Sequence, residues 1–202
     1  MLPYKEKIRR ETSNLSERKK ALHIVLTCEK LFFNYQFFSK EANWGNSHVF
    51  KDVILLYYEF INGNLINTIE IQQLENAVEI NTPDLDEVGH PLTSYGFDAG
   101  IAFLEALGYL KEKSLNHMIE VISGAINTVD MFVQVKEDLE TTDKNLEIKI
   151  DNDPFMQKEL KRQETIIKAL QDIELNPETI AQLRKLNNDM GEMIDFSLLP
   201  YR

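Results

Sequence analysis

Asp98, Glu105, His117 and Glu120 are the residues in this sequence best spaced for chemistry. Asp98 and Glu105 are seven residues apart, hence on one helical face, and are the only charged residues in the stretch 97–110, FDAGIAFLEALGYL. His117 and Glu120 follow one turn apart at the start of the next helical run. A carboxylate in apolar surroundings is either paired or shifted in pKa. If Asp98 or Glu105 met His117 across a helical hairpin, an acid–base or metal pocket would result. The expected alternative is architectural: Asp98 at the positive end of its own helix, Glu105 reaching a cation or solvent, and His117 near a helix N-terminus.

Glu29, Asn34 and Tyr35 form a second polar group on an otherwise apolar helix, a pattern expected of a satisfied buried network. The acids Asp84, Asp86 and Glu87, with Gly89 and His90, invite a calcium reading from Asp84. It fails because Val88 occupies the fifth position and Tyr95 the bidentate twelfth. Glu87 and His90 have Glu-x-x-His spacing, but Val-Gly between them and Pro91 after them do not suit a helix, and no second such pair exists. No metal and no cofactor are therefore expected. Phosphate-cradling glycine loops, nucleophile elbows, zinc-protease motifs and CxxC pairs are absent, so no catalytic residue is assigned and the chain leans away from enzymes.

The elements that must hold these residues are helices. Gly and Pro number only 8 and 6, and turn signals are widely spaced, which predicts an all-α single domain over 1–202. About seven to eight helices are expected around a buried central one at about 95–111, because a helix apolar on nearly every side must be covered. Helices are predicted at 3–11, from a capping box at Asn14 and Glu17 to 42, at 48–61, at 68–80, at 114–138, at 153–175 and at 176–190. Residues 1–14 form a basic N-terminal segment. In 140–153 the alternation of Leu146, Ile148 and Ile150 with charges predicts extended coil, a linker. The tail 192–202 is too apolar to float, and docking on this chain or a neighbour is expected.

The net charge of −11 opposes binding to nucleic acid or an anionic membrane. Seven bases against three acids give residues 1–20 a local +4, which leaves −15 for the rest. This basic end would pair with another copy, fold back, or stay solvated. The single Cys28 lies in an apolar run and forms no internal disulfide. With no signal-peptide pattern and no apolar run judged long enough to span a bilayer, a cytoplasmic protein is expected.

Four runs carry a resemblance: CEKLFFNYQFFSKEANWGNSHVFKDVILLYYE, LENAVE, FDAGIAFLEAL and SLNHMIEVISGAINTVDMF. In that order they resemble the YjaG-like bacterial family of unknown function. Cys28-Glu29-Lys30 and Asn34-Tyr35 match its Cys-Glu-Arg and Pro-Asn-Tyr, with Phe33 in place of the proline. Tyr58 stands where the family has tryptophan, followed by the matching Glu59, and Asp98-Ala99, Glu105, His117, Glu120, Thr128 and Val129 also fit. The resemblance covers roughly residues 20–195. It implies an all-helical cytoplasmic protein without an established activity, and a link to histidine-kinase signalling.

The leading functional expectation is a non-enzymatic interaction or regulatory protein, a homodimer that also binds a protein partner. Its motive is the apolar surplus in Trp44, Tyr57, Tyr58 and the tail residues Phe196, Leu198 and Leu199. The rival is an enzyme or ligand binder with a carboxylate–histidine pocket between helices 95–111 and 115–138.

Overall fold

Residues 21–28 are buried without a break, so this part of the chain is wrapped on every side. The chain is seen here in a computed structural model that describes residues 2–200. Met1 of the basic segment and Tyr201 and Arg202 of the tail lie outside the described residues. The wrapped run belongs to α2 (Glu17–Ala42), which follows α1 (Leu2–Thr12). Its N-cap is Ser16, whose hydroxyl accepts from the Lys19 N–H at 3.4 Å, two residues beyond the Asn14 suggested by the capping-box spacing. Next come α3 (His48–Ile61), α4 (Thr68–Ile80), α5 (Thr93–Glu112) and α6 (Leu115–Lys136). They are followed by α7 (Leu146–Asn152), α8 (Pro154–Asp172), α9 (Pro177–Asp189) and a 3-10 turn at Phe196–Leu198. The fold is an all-α bundle; no strand occurs among the described residues.

The predicted central helix is α5. It packs on α2, α4 and α6 and buries Tyr95, Ala99, Ala102, Phe103, Ala106, Leu107 and Tyr109. Gly96 permits a close approach: a Cβ there would lie 2.4 Å from the Phe38 ring. One stripe of α5, through Asp98, Ile101, Glu105 and Glu112, reaches the surface, so the core is shared between α5 and α2. Lys113, at φ +53°, turns the chain from α5 into α6, and the Ser114 hydroxyl caps α6 by accepting from the Asn116 N–H.

Two expectations are corrected, and one of three open alternatives is decided. Residues 146–152 are a helix, not extended coil: Leu146 and Ile150 are four apart, so a single helical turn carries both to the core while Ile148 points out. By length and composition alone α6 is apolar enough to cross a membrane, contrary to the reading of apolar runs; most of it is packed within the bundle on α5, α2, α8 and α1, as in any core helix. The basic first helix folds back on its own chain. Lys5 pairs with Glu120 at 3.0 Å, Lys7 with Glu164, and Arg9 donates to Asn116 at 2.9 Å.

Candidate functional site

The α5–α6 hairpin does bring Glu105 and His117 together, whereas Asp98 and Glu120 have partners of their own. His117 Nδ1 lies 2.8 Å from Glu105 and Nε2 lies 3.2 Å from Glu112. Both ring nitrogens are thus engaged by carboxylates. Partial burial opposes the imidazolium charge, yet the bonds from Glu105 and Glu112 outweigh it and raise the pKa above the ordinary histidine value. Gly108 makes room for the ring: a Cβ there would sit 2.6 Å from His117 Cε1.

Asp98 accepts from the Thr128 hydroxyl at 3.0 Å. Burial raises its pKa, with the Thr128 bond acting the other way. Glu120 is occupied by Lys5. Asp98, Glu105 and Glu120 line one small groove of about 160 Å³ between α5 and α6, and His117 is not on its wall. Among the described residues, no group of three or more His, Cys, Asp or Glu side chains is arranged to hold a metal. Chemically the hairpin offers ion pairs that hold two helices together, without a free nitrogen poised as a base. The loop acid Asp84 accepts from the Asp86 and Glu87 N–H groups, a turn that holds its own loop.

The second predicted group is scattered. Glu29 joins α2 to α9 through Arg184 at 2.7 Å and accepts from the Tyr58 hydroxyl at 3.1 Å, while Arg184 lies over the Tyr58 ring. Burial raises the Glu29 pKa, opposed by the Arg184 charge. Asn34 is fully buried beside Met193, and its Oδ1 has no hydrogen-bond partner among the described residues. Tyr35 donates to the Asn81 carbonyl, tying α2 to the end of α4.

A buried polar belt escaped the sequence reading. Glu159 and Arg162 on α8, 1% and 2% exposed, form a two-pronged pair at 2.5 and 2.7 Å. Arg162 also donates to Asn187 at 3.1 Å, and Asn187 donates to the Leu26 carbonyl at 2.9 Å. Gln163 donates to Glu159 at 2.7 Å and meets His23 Nε2 at 2.5 Å. Burial, aided by the Arg162 charge and opposed by the Gln163 bond, lowers the His23 pKa to about 4. A signal was available: Met156, Glu159, Gln163, Ile166 and Leu170 recur at three- and four-residue spacing, which puts 159 and 163 on the core face.

The predicted interaction surface is mostly interior. Tyr57 is buried and donates to the Ala106 carbonyl, and Phe196 stacks on Phe37 at 4.3 Å. Leu199 is also buried, because the tail docks on its own chain. Trp44 and Tyr58 are half-buried, and only Leu198, at 48%, is well exposed. The apolar groups left in solvent lie elsewhere. Among the described residues, five of the nine exposed large apolar side chains, Leu55, Leu65, Ile69, Ile80 and Leu85, fall within residues 55–85. The span 48–90 holds eight acids against one base, a local −7. Between α3 and α4 runs a groove of about 390 Å³ whose walls include Asp52, Leu55, Glu59, Glu70 and Leu74.

Comparison with known proteins agrees with this architecture. Residues 7–193 match the family described as "Protein of unknown function (DUF416)". The sequence is 28% identical over 167 residues to the uncharacterized protein YjaG of Salmonella typhimurium, across 82% of this chain and 83% of that protein. The YjaG protein of Salmonella typhi matches to the same extent. The crystal structure of a DUF416 family protein from Shewanella baltica superposes with a TM-score of 0.81, covering 92% of this chain and 95% of that one. At 20% identity this last likeness speaks for the fold alone.

Proposed function

The chain belongs to the DUF416 family of proteins of unknown function, and from there we propose that it is a non-enzymatic interaction module whose α3–α4 face binds a basic amphipathic helix of a partner protein. The observation that carries this reading is the α3–α4 groove, where exposed Leu55 stands with Asp52, Glu59 and Glu70, acids without a basic partner among the described residues, while Leu65 and Ile69 are exposed in the same stretch of chain. Exposed apolar groups rimmed by one sign of charge favour a partner with an apolar stripe and the opposite charge. Within the span 48–90 only Glu75 has a basic partner among the described residues, Lys111 at 2.9 Å.

A homodimer remains part of the reading, through another surface. Isologous pairing of this face would set −7 against −7. Charge complementarity favours a different, basic protein at this face. The signalling link that the resemblance implies would be served by such a contact.

Affinity capture from bacterial cytosol tests the reading, with wild-type protein and a Leu55→Ser/Ile69→Ser variant run side by side. Both residues are exposed, so the variant keeps its fold, checked by circular dichroism. Wild type is expected to retain a protein carrying a basic amphipathic segment, released by raised salt and lost from the variant. Recovery of the same proteins by both, or of none, refutes the reading.

A further inference from the structure

Asn62-Gly63 is the only Asn-Gly pair in the sequence, and every other asparagine precedes a residue with a side chain. The pair closes α3 for a reason of backbone geometry. Gly63, at φ +94°, takes the left-handed conformation that ends a helix. Its N–H donates to the Phe60 carbonyl and the Asn64 N–H donates to the Glu59 carbonyl, both at 3.0 Å. Asn62, the C-cap, therefore stands directly before a residue that has no Cβ to shield its nitrogen.

Three features leave this pair open to chemistry. Residues 62–65 are exposed without a break. Nothing lies within 4 Å of the place a Gly63 Cβ would take, so that flank of the residue is open. The Asn62 amide group has no hydrogen bond among the described residues. Asn46, which precedes the small residue Ser47, differs in this respect: its amide oxygen is held by the His48 N–H at 3.0 Å.

We propose that Asn62 is a site of self-modification, where the folded chain deamidates through a cyclic imide formed with Gly63. The Gly63 nitrogen gives up its proton and bonds to Asn62 Cγ, and the side-chain nitrogen leaves as ammonia. Water then breaks one of the two imide C–N bonds, leaving aspartate or its backbone isomer isoaspartate. One water is consumed and one ammonia is released, so no other reactant is needed. While the Gly63 N–H is bound to Phe60 its nitrogen is held in the cap. The reaction therefore passes through opening of the last turn of α3, and an exposed terminal turn opens far more readily than the whole fold. Either product places a carboxylate at the negative end of the helix dipole, and isoaspartate also lengthens the backbone. The residue lies in the connection from α3 to α4, but the inference does not rest on partner binding there.

Peptide mass spectrometry of the full chain, aged in mildly alkaline buffer with and without unfolding urea, tests the proposal. In the folded protein Asn62 should convert at least about 10-fold faster than any other asparagine and yield both aspartate and isoaspartate; in urea it should react faster still, because no cap has to open. Gly63→Ala should slow the reaction at Asn62 at least about 5-fold in urea, where the strain of alanine at a positive φ plays no part. Conversion in urea alone, another asparagine reacting first in the folded chain, aspartate without isoaspartate, or a rate indifferent to Gly63→Ala would overturn it.

Discussion

Arg162→Met is the most informative single change, because it removes one half of a charge pair that has almost no access to water. The arginine and Glu159 are 2% and 1% exposed, and two hydrogen bonds of 2.5 and 2.7 Å join them. Methionine keeps the aliphatic length but leaves the carboxylate with only the Gln163 amide, at 2.7 Å. Breaking a buried pair in this way costs about 3–5 kcal/mol. A domain stable by about 5–15 kcal/mol would lose about a fifth of its margin or more. In urea, with a slope of about 3 kcal/mol/M, the midpoint should fall by about 1–1.7 M. The double variant Glu159→Leu/Arg162→Met removes both charges. It still orphans Asn187 Oδ1 and weakens the support of Gln163, at about 1–3 kcal/mol for each unsatisfied group. The double should therefore be no less stable than Arg162→Met alone, with a coupling energy of about 2 kcal/mol or more between the two sites. Additive losses, or a cost below about 1 kcal/mol for Arg162→Met, would refute the view that this belt is held by a paired charge.

Two further outcomes follow from the same core. The folded His23 pKa of about 4 lies below the unfolded value of about 6.5, so the unfolded chain binds more protons between them. Its stability contribution is complete above pH 6.5 and is lost as pH falls toward 4, about 3 kcal/mol in all; urea midpoints at pH 7 and 4.5 should lie closer together in His23→Gln than in wild type, and an equal fall in both proteins would contradict this. Gly96→Ala should lower the melting temperature, because its Cβ would meet the buried Phe38 ring at 2.4 Å and overpacking costs about 1–3 kcal/mol. Gly124→Ala meets only Ala102 Cβ at 3.8 Å and gains up to about 1 kcal/mol of helix propensity, so its melting temperature should hold or rise by about 2–4 °C.

The helices were legible where apolar spacing and caps agreed. Residues 48–61 and 68–80 appear with the expected bounds, and Asn176-Pro177 begins α9 with a complete capping box. The segment 146–152 was misjudged because Leu146, Ile148 and Ile150 satisfy a period of two, whereas the helix uses only the pair four apart. Exposure was harder to read than secondary structure. Tyr57 and Tyr58 are adjacent aromatic residues, yet one is sealed beneath α5 and the other faces Arg184, a difference set by packing far along the chain. Of the two carboxylates whose spacing allowed contact with His117, Glu105 makes it and Asp98 does not; Glu112, which closes the second nitrogen, stands seven residues from Glu105 on the same face, a spacing that pointed to it as well.

The contact proposed for the face at 48–90 is separable from the net charge of the chain. That face belongs to α3 and α4, which pack on α2 and α5. Charges farther apart than about 8 Å are largely screened at physiological ionic strength. Partner capture should therefore be lost in Leu55→Ser/Ile69→Ser, which changes no charge, and kept in Asp130→Asn, which removes a negative charge from α6. Loss of capture in Asp130→Asn as well would mean that net charge, and not the shape of the face, is what the partner recognises.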